Sequence, residues 1–288
     1  MSSLQQLKSR IRSVKSTSQL TKAMQTVAAM RFRKNIVKAD KSKQFMDLVE
    51  QTLVNLIGVV DYAERAKLIL PRYSKTNLFL IISPTRGFCG GLHRLVTLET
   101  YKTIKDLGLN TSDNSEVKFV TVGRPAHKQV SRLGGELLAA FDELPKNPDQ
   151  YDVLAVSELL YDLYKTDSSI GKVYMSYVAY PSGKIVTIPI LPFDLNRLSA
   201  TSKTTSLDLF TVDSTSEKLI DELIHEYLQA EIFGAIWQTF ASEEKNRMVA
   251  MNQASDNAKT LMQGLQLAYF RTRQAKITQE MAEISSNV

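Results

Sequence analysis

The sequence predicts an α/β fold in which two long terminal helices pair antiparallel and a compact α/β domain lies between them in the chain. Three observations point there. All eight prolines fall between Pro71 and Pro192, and nine of the twelve glycines share that stretch. Proline removes a helix donor and clashes with the preceding turn, so residues 1–70 and 193–288 can form very long helices. Those flanks carry apolar residues at the 3-4 spacing of a two-helix seam, whereas the middle alternates β-rich runs with helical ones. The expected divisions are an N-terminal helix over 1–58, an α/β domain over 70–206 and a C-terminal helix over 210–288.

The first helix opens with Leu4, Leu7, Ile11 and Val14, spaced 3-4-3. After a local offset, Leu20, Met24, Val27 and Met30 continue a stripe, and Phe45, Leu48, Thr52 and Leu56 carry it toward Gly58. In the middle, "NLFLIIS" (77–83) and "VKFVTVG" (117–123) are β-rich, with "LHRLVTLETYKTIKDLG" as a helix between them. A helix over 125–133 precedes "ELLAAF" as a strand, and "YDVLAVSELLYDLYK" (151–165) is helical. "KVYMSYVAYPSGKIVTIPIL" (172–191) gives two strands joined by a turn at Pro181-Ser182-Gly183. The polar "NRLSATSKTTS" (196–206) links this domain to the last helix. There Leu219, Leu223, Tyr227, Ile232, Ile236 and Phe240 mark a broad apolar face, as where a helix lies on a domain. Met251, Ser255, Ala258, Met262, Leu265, Tyr269 and Thr272 then run 4-3-4-3-4-3.

One helix enters the α/β domain and the other leaves it, which permits antiparallel pairing. At 1.5 Å per residue, roughly 55 residues make a rod of about 80 Å, and a last helix of roughly 70–75 residues is about 25 Å longer. Residues beyond about 270 therefore outrun their partner. "AYFRTRQAKITQEMAEISSNV" (268–288) has only scattered apolar residues, Ala275, Ile277, Met281 and Ile284, as suits a single projecting helix.

Composition narrows the function. No run of about 18 apolar residues exists, so nothing spans a bilayer as a helix. The single cysteine, Cys89, excludes an internal disulfide and a cysteine-rich metal site, and three scattered histidines argue against a histidine cluster. The net charge of +6 is uneven: residues 1–43 hold eleven Lys/Arg against one acid, Asp40. Such a run is a solvated helix face, or it meets nucleic acid, an anionic membrane surface or an acidic protein. An organelle transit peptide is disfavoured by the apolar repeat.

Catalytic signatures are absent. "TRGFCGGLH" (85–93) follows a strand and opens a helix, where phosphate loops sit, but it matches neither GxxxxGK[ST] nor GxGxxG. Cys89 and His93 lack a third orienting group, and Glu243/Glu244 and Glu280/Glu283 read as helix-surface carboxylates. No catalytic residue, cofactor or metal is expected.

Three segments carry a family likeness. "LKSRIRSVKSTSQLTKAMQTVAAMRFRK" (7–34), "RGFCGGLH" (86–93) and "RMVAMNQASDNAKTLMQGLQLAYFRTRQAKITQE" (247–280) together resemble the γ subunit of F-type ATP synthases. The resemblance implies an antiparallel, left-handed coiled coil with a Rossmann-like α/β foot. It implies a rotor shaft in the axis of an α₃β₃ head, standing on the membrane c-ring with the ε subunit (δ in mitochondrial naming), while ATP chemistry stays on the β subunits. It places Lys22, Met24 and Arg31 on the coiled coil near acidic loops of the head, with Arg247 nearby on the other helix. Arg273, Gln274, Thr278 and Glu280 fall in the upper bearing, and the segment around Asp208 and Phe210 is the candidate c-ring contact. The sequence departs from the family in lacking its small Gly/Ala tail after "EISSNV" and the paired-cysteine insertion of the chloroplast form. A helix beginning near Met1 favours the cytoplasmic face of a bacterial plasma membrane, with the matrix face of the mitochondrial inner membrane as the alternative. A basic coiled-coil nucleic-acid-binding protein is the rival reading.

Overall fold

The computed structural model describes residues 4–57, 72, 74–111, 116–193 and 216–286. In chain order these form α1 (Leu4–Ile57), β1 (Thr76–Ile82), α2 (Leu92–Asp106), β2 (Val117–Val122) and α3 (Arg124–Leu133). They continue with β3 (Glu136–Phe141), α4 (Gln150–Thr166), β4 (Ile170–Val178), β5 (Ile185–Leu191) and α5 (Ser216–Ser286). The expected linker over 196–206 and the candidates Asp208 and Phe210 lie outside the described residues. Internal contacts divide the chain into two units. One comprises Met1–Arg31, Phe88–Gly90 and Glu244–Val288; the other comprises Phe32–Gly87 and Gly91–Glu243.

The larger unit is built on a five-stranded sheet in the order β3-β2-β1-β4-β5. β1 pairs parallel with β2 and β4, β2 parallel with β3, and only β5 runs antiparallel. Every residue of β1 is buried, so its unbroken apolar run is that of a strand covered on both faces. Successive side chains of β1 serve opposite layers. Leu78, Leu80 and Ile82 join a core with Val153, Val156, Leu160 and Tyr164 of α4 and Ile232, Ile236 and Trp237 of α5, to which α1 adds Ala39 and Val49. On the other side, the Phe79 ring stacks on Tyr174 with centroids 4.9 Å apart, and Tyr101 of α2 stacks on Phe119 at 5.4 Å. α4 starts in a reciprocal cap, with Asp149 and Asp152 each accepting the other's backbone N–H. The turn before α3 needs glycine: Gly123 has φ +98°, and a Cβ there would sit 2.9 Å from the Ser83 carbonyl oxygen.

The smaller unit is an antiparallel helix pair. Gln25 Nε2 donates to Asn252 Oδ1 at 2.9 Å, and Arg31 lies 3.9 Å from Glu244, so advancing along α1 means retreating along α5. On α5 the expected seam is observed: Met251, Ser255 and Ala258 are buried, and Met262, Leu265, Tyr269 and Thr272 are half-buried.

On α1 the expected offset stripe is wrong. The burial follows one unbroken heptad register from Leu4, Leu7, Ile11 and Val14 through Ser18, Thr21, Gln25 and Ala28. The same register continues at Phe32, Asn35, Ala39, Ser42, Met46 and Val49. Leu20, Val27, Met30 and Leu48 are instead exposed. The inner positions of α1 here are small or polar, Ser18, Thr21, Gln25 and Ala28, and those of α5 beyond the Gln25–Asn252 bond are Ser255 and Ala258, a pairing of small side chains that suits close helix approach. A strict seven-residue repeat coils two helices left-handedly.

Candidate functional site: the exposed faces of the terminal helices

The place where an open α/β sheet ordinarily holds a ligand is closed here. Such sheets bind at the carboxyl ends of the strands where the strand order reverses, between β1 and β4 in this chain. At that point side chains of α5 satisfy the strand ends. Thr85 N donates to Glu243 Oε2 (3.0 Å), Val178 N to Thr239 Oγ1 (3.3 Å) and Tyr180 N to Gln238 Oε1 (3.2 Å). Cys89 is buried, and no group of three or more potential metal ligands occurs among the described residues.

What the chain offers instead is exposed helix. On α1, Leu20, Val27, Met30, Val37 and Leu48 each sit two residues past a seam position, about 200° around the helix and so on the face opposite the seam. Lys34 and Lys41 occupy the same face, which is therefore apolar and cationic at once. At the far end of α5, every residue from Arg273 to Ser286 is exposed. Within that stretch and the turn before it, Leu267, Phe270, Gln274, Ile277, Met281 and Ile284 are spaced 3-4-3-4-3, and the five apolar members are all largely exposed. The apolar residues of the tip are thus an ordered stripe, which the sequence reading took as scattered. A contiguous exposed stripe of this kind on a helix marks an interaction surface.

The candidate residues distribute over these features. Lys22 is exposed and donates to Gln25 Oε1 at 3.0 Å, holding it beside the coiled-coil bond to Asn252. Met24 is half-buried beside the seam. Arg31 and Arg247 come together on one carboxylate: Arg247 Nη1 is 2.6 Å from Glu244 Oε2, and Arg31 Nη1 is 3.9 Å from Oε1. Arg247 is only 6% exposed and Glu244 2%, so this cluster is interior, whereas the Arg31 side chain is about half exposed. The expectation of Glu244 as a surface carboxylate fails, and Glu243 is buried too. Arg273, Gln274, Thr278 and Glu280 are all on the exposed tip. There the Thr278 hydroxyl donates to the Gln274 carbonyl at 3.0 Å, and Lys276 pairs with Glu280 at 3.5 Å.

Comparisons with known proteins agree along the whole chain. A family model described as ATP synthase matches residues 3–288. The ATP synthase gamma chain of Alkaliphilus metalliredigens is 31% identical over 287 residues, covering 98% of this chain and 96% of that one. The gamma chain of Legionella pneumophila strain Corby is 28% identical over 286 residues, covering 99% and 98%. Among solved structures, the Euglena gracilis mitochondrial ATP synthase (OSCP/F1/c-ring) contains a chain with TM-score 0.66 at 15% identity, covering 99% of this chain and 93% of that one. The central stalk/c-ring structure of the Tetrahymena thermophila mitochondrial ATP synthase contains one with TM-score 0.62 at 19% identity, covering 82% and 99%.

Proposed function

Because the chain belongs to the ATP synthase gamma-chain family, we propose that it is the central rotor shaft of an F-type ATP synthase, coupling ion-driven rotation of a c-ring to the catalytic head. The observation that carries this reading is the tip of α5, an exposed helix with a 3-4-spaced apolar stripe that its own chain does not cover. A sleeve formed by α and β subunits would bury it. In that sleeve Ile277, Met281 and Ile284 supply low-friction apolar contact, while Arg273, Gln274, Thr278 and Glu280 supply the polar rim.

Lower on the shaft, the outer face of α1 meets the head with apolar side chains and with Lys22, Met24 and Arg31. Attraction between such cations and acidic loops is long-ranged and non-directional, so it survives a changing rotational angle. Arg247 acts differently. It is almost wholly buried in this chain and shares the Glu244 carboxylate with Arg31, so in this reading it would meet the head through little of its own surface. The chain is a non-catalytic subunit, with ATP chemistry on the β subunits and the ε subunit as a companion at the c-ring. Its place is peripheral, on the cytoplasmic face of a bacterial plasma membrane. No helix among the described residues is long and apolar enough to cross a membrane.

The nucleic-acid reading gains no support, because the exposed face of α1 interleaves its lysines with Leu20, Val27 and Met30 rather than with stacking aromatics. Co-purification tests the rotor reading. Expressed with α and β subunits, the chain should elute at one copy per three α/β pairs. Elution apart from them, or at equal copy number, would refute it.

A further inference from the structure

Inside the larger unit a half-open cavity of about 500 Å³ lies where α1, α5 and the segment leading into α4 meet. Its size is that of a small-molecule site rather than of a peptide groove. One wall is aromatic, formed by Trp237 and Phe233 of α5, with Phe45 of α1 and Tyr151 of α4 at the rim. Lys38 and Lys41 of α1 also line the cavity. Lys38 Nζ sits 4.2 Å from the Trp237 ring centroid and donates to Asn147 Oδ1. Partial burial and the neighbouring Lys34 hold the Lys38 ammonium below its ordinary pKa. An entering negative charge would relieve that cost.

Two further groups want a partner. Trp237 Nε1 and Ser42 Oγ both belong to residues of the cavity wall, both are buried, and neither has a hydrogen-bond partner. A buried donor left unmet is costly, so an acceptor that reached either one would be favoured beyond its own contacts. Gly234 adds to the shaping, since a Cβ there would stand 3.2 Å from Ser42 Oγ. The one carboxylate on the wall, Asp149, is committed to capping α4 through Asp152 N (3.1 Å). Cations set beside aromatic rings in one cavity suit a ligand with both an anionic and an apolar end.

We propose that this cavity binds a small amphipathic anion, with its carboxylate or phosphate head between Lys38 and Lys41 and its apolar body against Phe45, Phe233 and Trp237. A swing of Lys38 off the indole face would free both its ammonium and the Trp237 ring for the ligand. The site belongs to the α/β unit and stands whether or not the chain is a rotor.

Trp237 is the single tryptophan of the chain, so its emission reports on the cavity directly. The test titrates the full chain with octanoate, with octanol of matched length, and with a short acidic–apolar peptide, following emission and heat. The expected result is a saturable Trp237 shift with octanoate and binding about tenfold weaker for octanol. Lys38→Met/Lys41→Met should lose a similar factor for octanoate while unfolding at the same urea concentration as the parent. Trp237→Phe, read by heat alone, should weaken binding and keep the preference for the anion. Three results would overturn the proposal: no saturable signal, equal affinity for octanoate and octanol, or saturation by the peptide alone.

Discussion

Arg247 and Glu244 form an ion pair at 2.6 Å one turn apart on α5, and both are almost wholly buried. Arg31 of α1 approaches the other oxygen of the same carboxylate at 3.9 Å from a half-exposed position. The two arginines are therefore unequal. Removing the buried carboxylate strands a buried cation, whereas removing Arg31 gives up only a screened, partly solvated contact. Glu244→Ala is expected to cost about 3–5 kcal/mol of stability. Arg31→Ala is expected to cost less than about 1 kcal/mol. Urea unfolding of the two variants checks this ordering; equal losses would show that the cluster is not organised around Glu244.

The two faces of α1 should respond in opposite ways to substitution. Ala28 is fully enclosed in the seam, so Ala28→Leu overpacks the helix pair and is expected to cost about 1–3 kcal/mol. Leu20 lies on the outer face, so Leu20→Ala should change the stability of the isolated chain by no more than about 0.5 kcal/mol. The same Leu20→Ala change should weaken association with α and β subunits, measured by co-elution at limiting concentration.

Deletion of residues 273–288 removes only exposed positions among those described, so the urea midpoint of the chain should not move. ATP hydrolysis by an assembled complex should persist but lose its coupling to ion pumping. Pumping assays in membrane vesicles decide this, and full coupling without the tip would remove the bearing from the account.

Alkaline stability should depend in part on Tyr101. Tyr101 donates its hydroxyl proton to the Gly134 carbonyl, and burial pushes its pKa up to about 12 from the ordinary 10. A pKa raised in the folded state means stability present below pH 10 and lost as pH climbs toward 12. Thermal unfolding across that range should fall more steeply for the parent than for Tyr101→Phe. Parallel curves would show that the hydroxyl ionises without strain.

The sequence and the structure agree where side-chain size and burial point the same way. β1 could be recognised because "LFLII" (78–82) is apolar throughout, and the α5 seam because Met251, Met262, Leu265 and Tyr269 are large enough to mark it. The α1 seam was hidden for the converse reason. Its inner positions are Ser18, Thr21, Gln25 and Ala28, and the eye follows Leu20, Val27 and Met30 around to the outside. Hydropathy finds the greasy face of a helix and cannot say which of two faces its own chain covers. The tip stripe escaped notice because Gln274 interrupts it and charged residues fill the other faces. Its signal in the sequence is the 3-4 spacing that runs on from Leu267. The burial of Glu244 was not legible, since its i,i+3 pairing with Arg247 reads as an ordinary helix-surface ion pair and Arg31 is more than two hundred residues away in the chain.

The central claim is that this chain turns inside a stationary head, and rotation itself is the direct measurement. Leu133, exposed at the end of α3, offers an attachment point as Leu133→Cys, because the native Cys89 is buried. With the α and β subunits fixed to a surface and a bead linked at position 133, ATP should drive rotation in one direction with three dwells per turn. A bead that only fluctuates, while the same complexes hydrolyse ATP, would contradict the account.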